Sequence, residues 1–354
     1  MSDGVRLGDI DSKATDRDLY AHYGDPVAEQ RLIERAVAVV DRSNRGVVSI
    51  TGPERLTWLH DVTTQHLRGL NAGEGTQLLV LSPHGHVEHD AFVTDDGTTT
   101  WLDVEPGTAP ALVDFLVKMK FLTRADPADV TADWALFSLV GPQAAEALAA
   151  SGVNVPAEPV FQPVPGPKFA AKSLLASPTA VYGTVSLPGG GWARRHEDRI
   201  DLLVPRATGL PEAFAAIGRA GIWAYEAHRV ALKRPRLGFE SDHRTLPAEI
   251  GMLGPAVHLE KGCYRGQETV ARVHNLGKPP RRLALVHLDG IVTDNPPAPG
   301  APVTSDGREV GFVGTAVRHH ELGMIALAVL KRSVPDDALL TIGVSTAAID
   351  PDDD

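Results

Sequence analysis

The pattern of hydrophobic residues changes character near Arg282. Before it, segments with helical and strand periods follow one another without the strict alternation of a doubly wound sheet; after it, short strands are divided by DG, PPAPG, SDG and LG turns. That switch predicts an α+β body followed by a small all-β barrel or sandwich. The chain has 354 residues, more than the roughly 100 to 200 of one domain, so more than one packed unit is expected. We place a polar arm at residues 1–24, a main region at 25–278 that divides into two subdomains, and the β unit at 279–350. Hydrophobic residues at 43% and charged residues at 22% exclude wholesale disorder and coiled coil.

Within the main region, Asp25 and Pro26 read as the N-cap and first turn of a helix running to about Val40, with Leu32, Ile33, Ala36, Val37 and Val40 as its apolar stripe. Gly46 to Thr51 reads as a strand, and Gly52-Pro53 opens a helix carrying Leu56, Leu59 and Val62. Gln77–Leu81, His86–Val93 and a third strand to Val104, separated by SPHG and TDDG turns, predict an antiparallel meander. Helices are expected at Ala109–Phe121, Gln143–Ala150, Leu210–Ala220 and Ile222–Lys233, with strands at Ala135–Val140, Val181–Leu187 and Ile200–Val204. Prolines 156, 159, 163, 165, 167 and 178 mark residues 154–178 as an irregular insertion.

Charge and cysteine usage narrow the function. A formal charge of -11 opposes a broad grip on phosphate backbones, so no direct broad nucleic-acid binding is expected. One cysteine forms no internal disulfide, which fits a reducing cytoplasm. The N-terminus has no secretory signal and no apolar run approaches the ~20 residues of a membrane span, so no membrane partner is expected.

The densest unusual segment is KGCYRGQE, Lys261 to Glu268. Cys263 lies between Lys261 and Arg265, and nearby cations stabilise a thiolate, while Gly262 and Gly266 let the backbone bend or approach a ligand. The bland reading is a buried small hydrophobe. His84, His86 and His89 invite a metal reading that strand geometry opposes, because His86 and His89 point to opposite faces. His319 and His320 are expected at solvated or edge positions, and Trp58, Trp134 and Trp192 in the core or at its rim. Gly189 to Gly191 need be no more than a turn.

KGCYRGQE followed by TVARVHNLGKPPRRLAL resembles the signature of the YgfZ family of folate-binding proteins, within the superfamily of the glycine-cleavage T-protein. SITGPERLTWLHDVTTQ, LLVLSPHGHVEHDAFV and YEAHRVALKRPRLGFESDHRTLPAEIG extend the resemblance over roughly Arg31 to Leu330. It implies a T-protein-like core around a tetrahydrofolate (or related reduced folate) site, with a C-terminal β-barrel closing one side. It also implies support of iron-sulfur enzymes or their assembly machinery, radical tRNA-modifying enzymes included, with Cys263 as the working group. Lys261 and Arg265 would tune the thiolate, and Tyr264, Gln267 and Glu268 would shape the loop. Asp90, in GHVEHD where the T-protein has paired aspartates, becomes a candidate folate contact. Glu226 and Arg229 would meet the pterin edge and the glutamate tail; spaced i to i+3, they could instead form a surface ion pair worth under about 1 kcal/mol. The rival functions are a folate-dependent aminomethyl or demethylating transferase, and a scaffold that binds no folate.

Overall fold

The computed structural model describes residues 4–11, 14–163, 177–276, 278–289 and 295–351. Most of its strands form one twelve-stranded sheet. From one edge the order is Arg219–Ala220, Ala38–Asp41, Trp134–Val140, Arg199–Pro205, Trp192–Arg195, Thr179–Ser186, Glu74–Leu81, Val87–Asp95, Thr99–Val104, Gly46–Thr51 and Asp126–Asp129, with Val160–Gln162 beside Thr179–Ser186. The two halves meet where Tyr182 and Gly183 pair with Gly75 and Glu74.

The expected meander forms, and its apolar alternation explains its packing. Leu78, Val80, Ala91, Val93, Leu102 and Val104 point to one side, where Leu112 and Leu116 of the Ala109–Lys120 helix and Leu59 of the Arg55–Val62 helix cover them. On the other side Leu79, Leu81 and Val87 meet Tyr264, Val270 and Leu253. Burial on both faces is why residues 78–81 read as an unbroken LLVL run.

The C-terminal unit is a closed six-stranded antiparallel barrel, Arg281–Leu288, Gly323–Lys331, Arg308–His319, Pro302–Ser305, Leu340–Ile342 and Ser345–Ile349, whose last strand returns to the first. Met324, Ala326, Ala328 and Leu330 fill its interior, while Ile325 and Leu327 face outward onto Val230 of the Ile222–Ala231 helix. The barrel thereby docks on the main region with a second apolar face of one strand.

Several expectations fail for identifiable reasons. The Pro26–Arg35 helix, capped by Asp25 through Val27 and Ala28 N–H at 2.9 and 3.1 Å, stops short of the expected Val40, because Val39 and Val40 pair in the sheet, where β-branched residues fit the pleat. Leu210–Ala220 is not a helix: Pro211 precedes a single 3-10 turn, Glu212–Phe214, and Arg219–Ala220 runs parallel to Ala38–Asp41. Trp192–Arg195 is an unforeseen strand immediately after the glycine turn. The polar arm folds too, with Val5–Arg6 paired to Tyr20–His22 and Asp16 buried. Of the proline-rich insertion, residues 164–176 lie outside the described residues. Trp58 and Trp192 are buried, and Trp134 packs edge-on against Trp101 at 4.8 Å.

Candidate functional site

A cavity of about 1410 Å³ lies between the sheet, the Ile222–Ala231 helix and the near end of the barrel. It exceeds the roughly 300–1,000 Å³ of ordinary small-molecule pockets. One wall is aromatic: His196 stands 4.4 Å from Tyr182 and 5.1 Å, edge-on, from Phe92. Such a wall accepts a flat heteroaromatic ring through stacked and edge contacts. Burial and the neighbouring Arg199 pull His196 down to about 3, so it is a neutral ring near neutral pH.

Asp90 lines the cavity and differs from every other acid there. Among the described residues its carboxylate has one hydrogen bond, from Gln77 Nε2 at 2.7 Å, and no cation within ion-pair distance. Burial pushes its carboxyl up to about 7, against the smaller opposing pull of Gln77 and Arg45. It can therefore both donate and accept a proton at physiological pH.

The remaining acids are locked in ion pairs. Asp16, Glu105 and Glu226 surround Arg236 at 2.8, 2.8 and 3.0 Å, and Glu105 also holds Arg45 at 2.8 Å. Burial would raise Glu105, but Arg236 and Arg45 outweigh it and bring the carboxyl down to about 2. Deeper, Arg194 and Arg199 converge on Asp201 at 3.1 Å each.

Glu226 and Arg229 do share a helix face and do line the cavity, yet their pair is buried rather than a surface contact. A guanidinium has five N–H donors. Those of Arg229 go to Glu226 (2.9 and 2.6 Å), the Arg234 carbonyl (2.8 Å), Glu240 (3.3 Å) and the Thr315 hydroxyl of the barrel. No donor is left for an anionic tail, so Arg229 is scaffold. Arg42 and Arg45 are better placed: both line the cavity, and their hydrogen bonds to the described residues leave N–H groups of each over. Sequence reasoning missed them, together with Phe92, Tyr182 and His196; for Phe92 and Tyr182 their places on predicted strands were the signal available, and Arg42, Arg45 and His196, outside every predicted strand, gave none.

The motif loop sits apart, and none of Lys261, Gly262, Cys263, Tyr264, Arg265, Gly266, Gln267 or Glu268 lines the cavity. Cys263 is exposed. The Lys261 ammonium, expected beside the thiol, is buried and donates to the carbonyls of His60, Thr63 (2.5 Å) and Gln65 (3.3 Å), closing the C-terminal end of the Arg55–Val62 helix. Burial draws it down to about 8. Arg265 pairs with Glu88 at 3.1 Å, so both cations of the motif have other partners. Tyr264 anchors the loop in the core behind the meander, and Gln267 Nε2 donates to the Lys261 carbonyl at 3.2 Å. Gly266, at φ +82°, lies so close to the Ser82–Gly85 turn that an added Cβ would sit 2.6 Å from the Ser82 carbonyl oxygen. Glycine is required there for both reasons. Glu268 lies in the first turn of the Gln267–Leu276 helix, which the sequence pattern did not suggest.

The histidines of the hairpin do not converge. The His84 and His86 rings are 6.3 Å apart, and His89 turns toward Phe115 with Nδ1 unpartnered among the described residues. Of the solvated or edge positions expected, His320 takes no solvated one: its side chain is 3% exposed, because Gln30 holds this turn against the Pro26–Arg35 helix through the Arg318 carbonyl and the His320 N–H. It contacts Glu34 at 3.2 Å, with Glu321 nearby. Among the described residues this is the one group compact enough for a metal ion, but Arg35 already lies 3.6 Å from Glu34 and 3.8 Å from Glu321.

Comparison with known proteins covers the first half of the main region and the barrel. Residues 22–158 match the GCVT N-terminal domain, and residues 281–353 match the CAF17 C-terminal beta-barrel domain. The chain joins a GCVT-type domain to a CAF17-type barrel. The structure of aminomethyltransferase T from Bartonella henselae shares this fold, with a TM-score of 0.77 over 99% of this chain and 97% of that one, at 16% identity. An aminomethyltransferase of Symbiobacterium thermophilum is 27% identical over 83% of this chain and 78% of its own length. The mitochondrial iron-sulfur cluster assembly factor IBA57 homolog of Aspergillus clavatus is 27% identical over 76% of this chain. A chloroplastic protein of Arabidopsis thaliana bearing a transferase name is 26% identical over 78% of this chain. The matched stretch spans 61% of the length of each of these last two relatives. Among the described residues, no helix of the GCVT-type region or the barrel is long and apolar enough to cross a membrane.

Proposed function

We propose that this protein is a cytoplasmic tetrahydrofolate-binding accessory factor in the assembly or repair of iron-sulfur enzymes, with folate held in the central cavity and Cys263 acting on a partner outside it. The observation that carries the folate reading is the composition of the cavity: an aromatic wall of Phe92, Tyr182 and His196 beside Asp90, a carboxyl without a cation. A protonated carboxyl next to the Gln77 amide offers the paired donors and acceptors that a pterin edge needs, and the uncommitted N–H groups of Arg42 and Arg45 suit carboxylates of a glutamate tail. The barrel type and the assembly-factor relative support the iron-sulfur role. Radical tRNA-modifying enzymes are among the partners this reading includes. Titration calorimetry with tetrahydrofolate tests the first half: saturable heat is expected, and its absence at high protein concentration leaves only a scaffold.

Asp90 also favours a second reading. A carboxyl titrating near 7 suits an acid or base in aminomethyl transfer, the activity named for two of the similar proteins. Steady conversion of tetrahydrofolate to its methylene form with an amine donor, by the purified protein alone, would select that reading over the accessory role.

A further inference from the structure

The Ala109–Lys120 helix ends in a strained, apolar and outward-facing knuckle. Val117 and Met119 are 55% and 43% exposed, and beyond the helix Phe121 and Leu122 reach 90% and 84%. Phe121 occupies φ 47°, ψ −119° in a turn closed by Thr123 N–H donating to the Lys120 carbonyl at 2.9 Å. That is the second position of a II′ turn, where glycine is the residue of ease. A bulky side chain held in this backbone region while making so little contact with its own protein is strain without an internal return. The turn is also fixed in place: Trp58 Nε1 donates to the Met119 carbonyl at 3.2 Å, and Arg124 pairs with Glu54 at 3.1 Å.

The knuckle is continuous with the motif loop. Arg265, two residues from exposed Cys263, lies over the Phe115 ring at 5.7 Å, and Phe115 and Met119 are one turn apart on the same helix. From Phe115 to the knuckle is about 9 Å of helix rise, well inside the footprint of one protein partner.

We propose that Phe121 and Leu122 are the docking knuckle for the protein on which Cys263 acts, and that this partner offers an apolar slot with a carboxylate at its lip. This rests on the accessory-factor reading above. Charge selects the occupant. Within residues 115–125 there is no acid, but Lys120 is committed to Asp126 and Arg124 to Glu54, while Lys118 has no ion-pair partner among the described residues. One uncommitted lysine on a chain of charge -11 gives little hold on an anionic bilayer, yet it can meet one carboxylate at the edge of a shaped slot.

The test uses the full chain in cells lacking the chromosomal copy, with a photo-cross-linking benzoylphenylalanine at position 122 or, separately, at position 263. We expect one and the same protein to be cross-linked from both positions. Phe121→Gly should reduce the cross-link from position 263 at least ~10-fold and lower aconitase activity in these cells, while its melting temperature equals or exceeds that of the native chain because glycine relaxes the turn. Leu122→Ser, which leaves the turn backbone unaltered, should lose the same contact. Undiminished cross-linking and aconitase activity in both variants would overturn the proposal, as would Phe121-dependent sedimentation with phosphatidylglycerol vesicles or cross-linking only to a second copy. If Cys263→Ser abolishes aconitase support but both knuckle variants keep it, docking lies elsewhere and the accessory role stands. If none of the three has an effect, the accessory role itself fails.

Discussion

The central cavity and the KGCYRGQE loop contrast in almost every physical respect. The cavity is half open to solvent, floored by interlocked arginines and carboxylates, and contains one acid free of cations. The loop is outside it, with Cys263 exposed and Lys261 turned inward onto three carbonyls. The cavity and the thiol are therefore separately placed, and what joins them is rigid packing through Tyr264 and the close fit of Gly266 on the meander turn.

The largest expected effect tests whether the cavity's arginines are scaffold. Arg229→Ala leaves Glu226 partly and Glu240 largely uncompensated, the latter with 0% exposure and pressed against Gly314 of the barrel. Breaking a buried pair of this kind costs about 3–5 kcal/mol. Chemical denaturation should show that loss, and a variant of unchanged stability with weakened folate binding would return Arg229 to the ligand.

Asp90→Asn sharpens the opposite point, that one carboxyl is buried with an amide and no paired cation to stabilise its charge. Because its carboxyl is raised from 3.8 to about 7, the native state binds more protons than the unfolded state across that interval. Native stability therefore falls as pH climbs from about 4 to 7, and Asn, which mimics the protonated acid, escapes the loss. Allowing for solvent reaching the carboxyl through the cavity, Asn should be more stable by roughly 2 kcal/mol at pH 8 and equal at pH 3.5. Denaturation at the two pH values checks this, and a difference independent of pH would refute the raised pKa.

How far these features were legible depends on whether local or distant partners decide them. The barrel and the meander could be read because turn residues and period-two alternation are local signals. The Asp25 cap was legible for the same reason. Val39 and Val40 were misassigned because helix and strand compete for short apolar runs, and pairing with Trp134–Val140, distant in sequence, decides the outcome. The motif was visible as chemistry, but the direction taken by Lys261 depends on a helix end some 200 residues earlier, the sequence separations being 196 to 201. The buried role of Arg229 likewise rests on Thr315 in the other unit.

Within the cavity, Tyr182→Ala removes one member of the aromatic wall while leaving the ionic floor intact. Loss of one ring contact is worth about 1.4 kcal/mol, or tenfold in tetrahydrofolate affinity, with little change in melting temperature. Calorimetry is the direct measurement, and unaltered affinity would move the ring of the ligand to another wall.

The smallest energetic effect is the most informative about the loop. Cys263 is exposed, so Cys263→Ser should change stability by less than about 0.5 kcal/mol and leave tetrahydrofolate affinity untouched, since the residue lines no part of the cavity. Support of iron-sulfur enzymes in cells should nevertheless disappear, because serine keeps the size and polarity of the side chain but supplies no thiolate. If the variant instead weakens folate binding, the loop and the cavity communicate through the Gly266 contact with the Ser82–Gly85 turn, and the separation drawn above gives way to coupling. If enzyme support survives intact, the sulfur has no part in the function, and the role of the motif lies in Lys261, Tyr264 and Gly266, which hold the helix end, the core and the turn together.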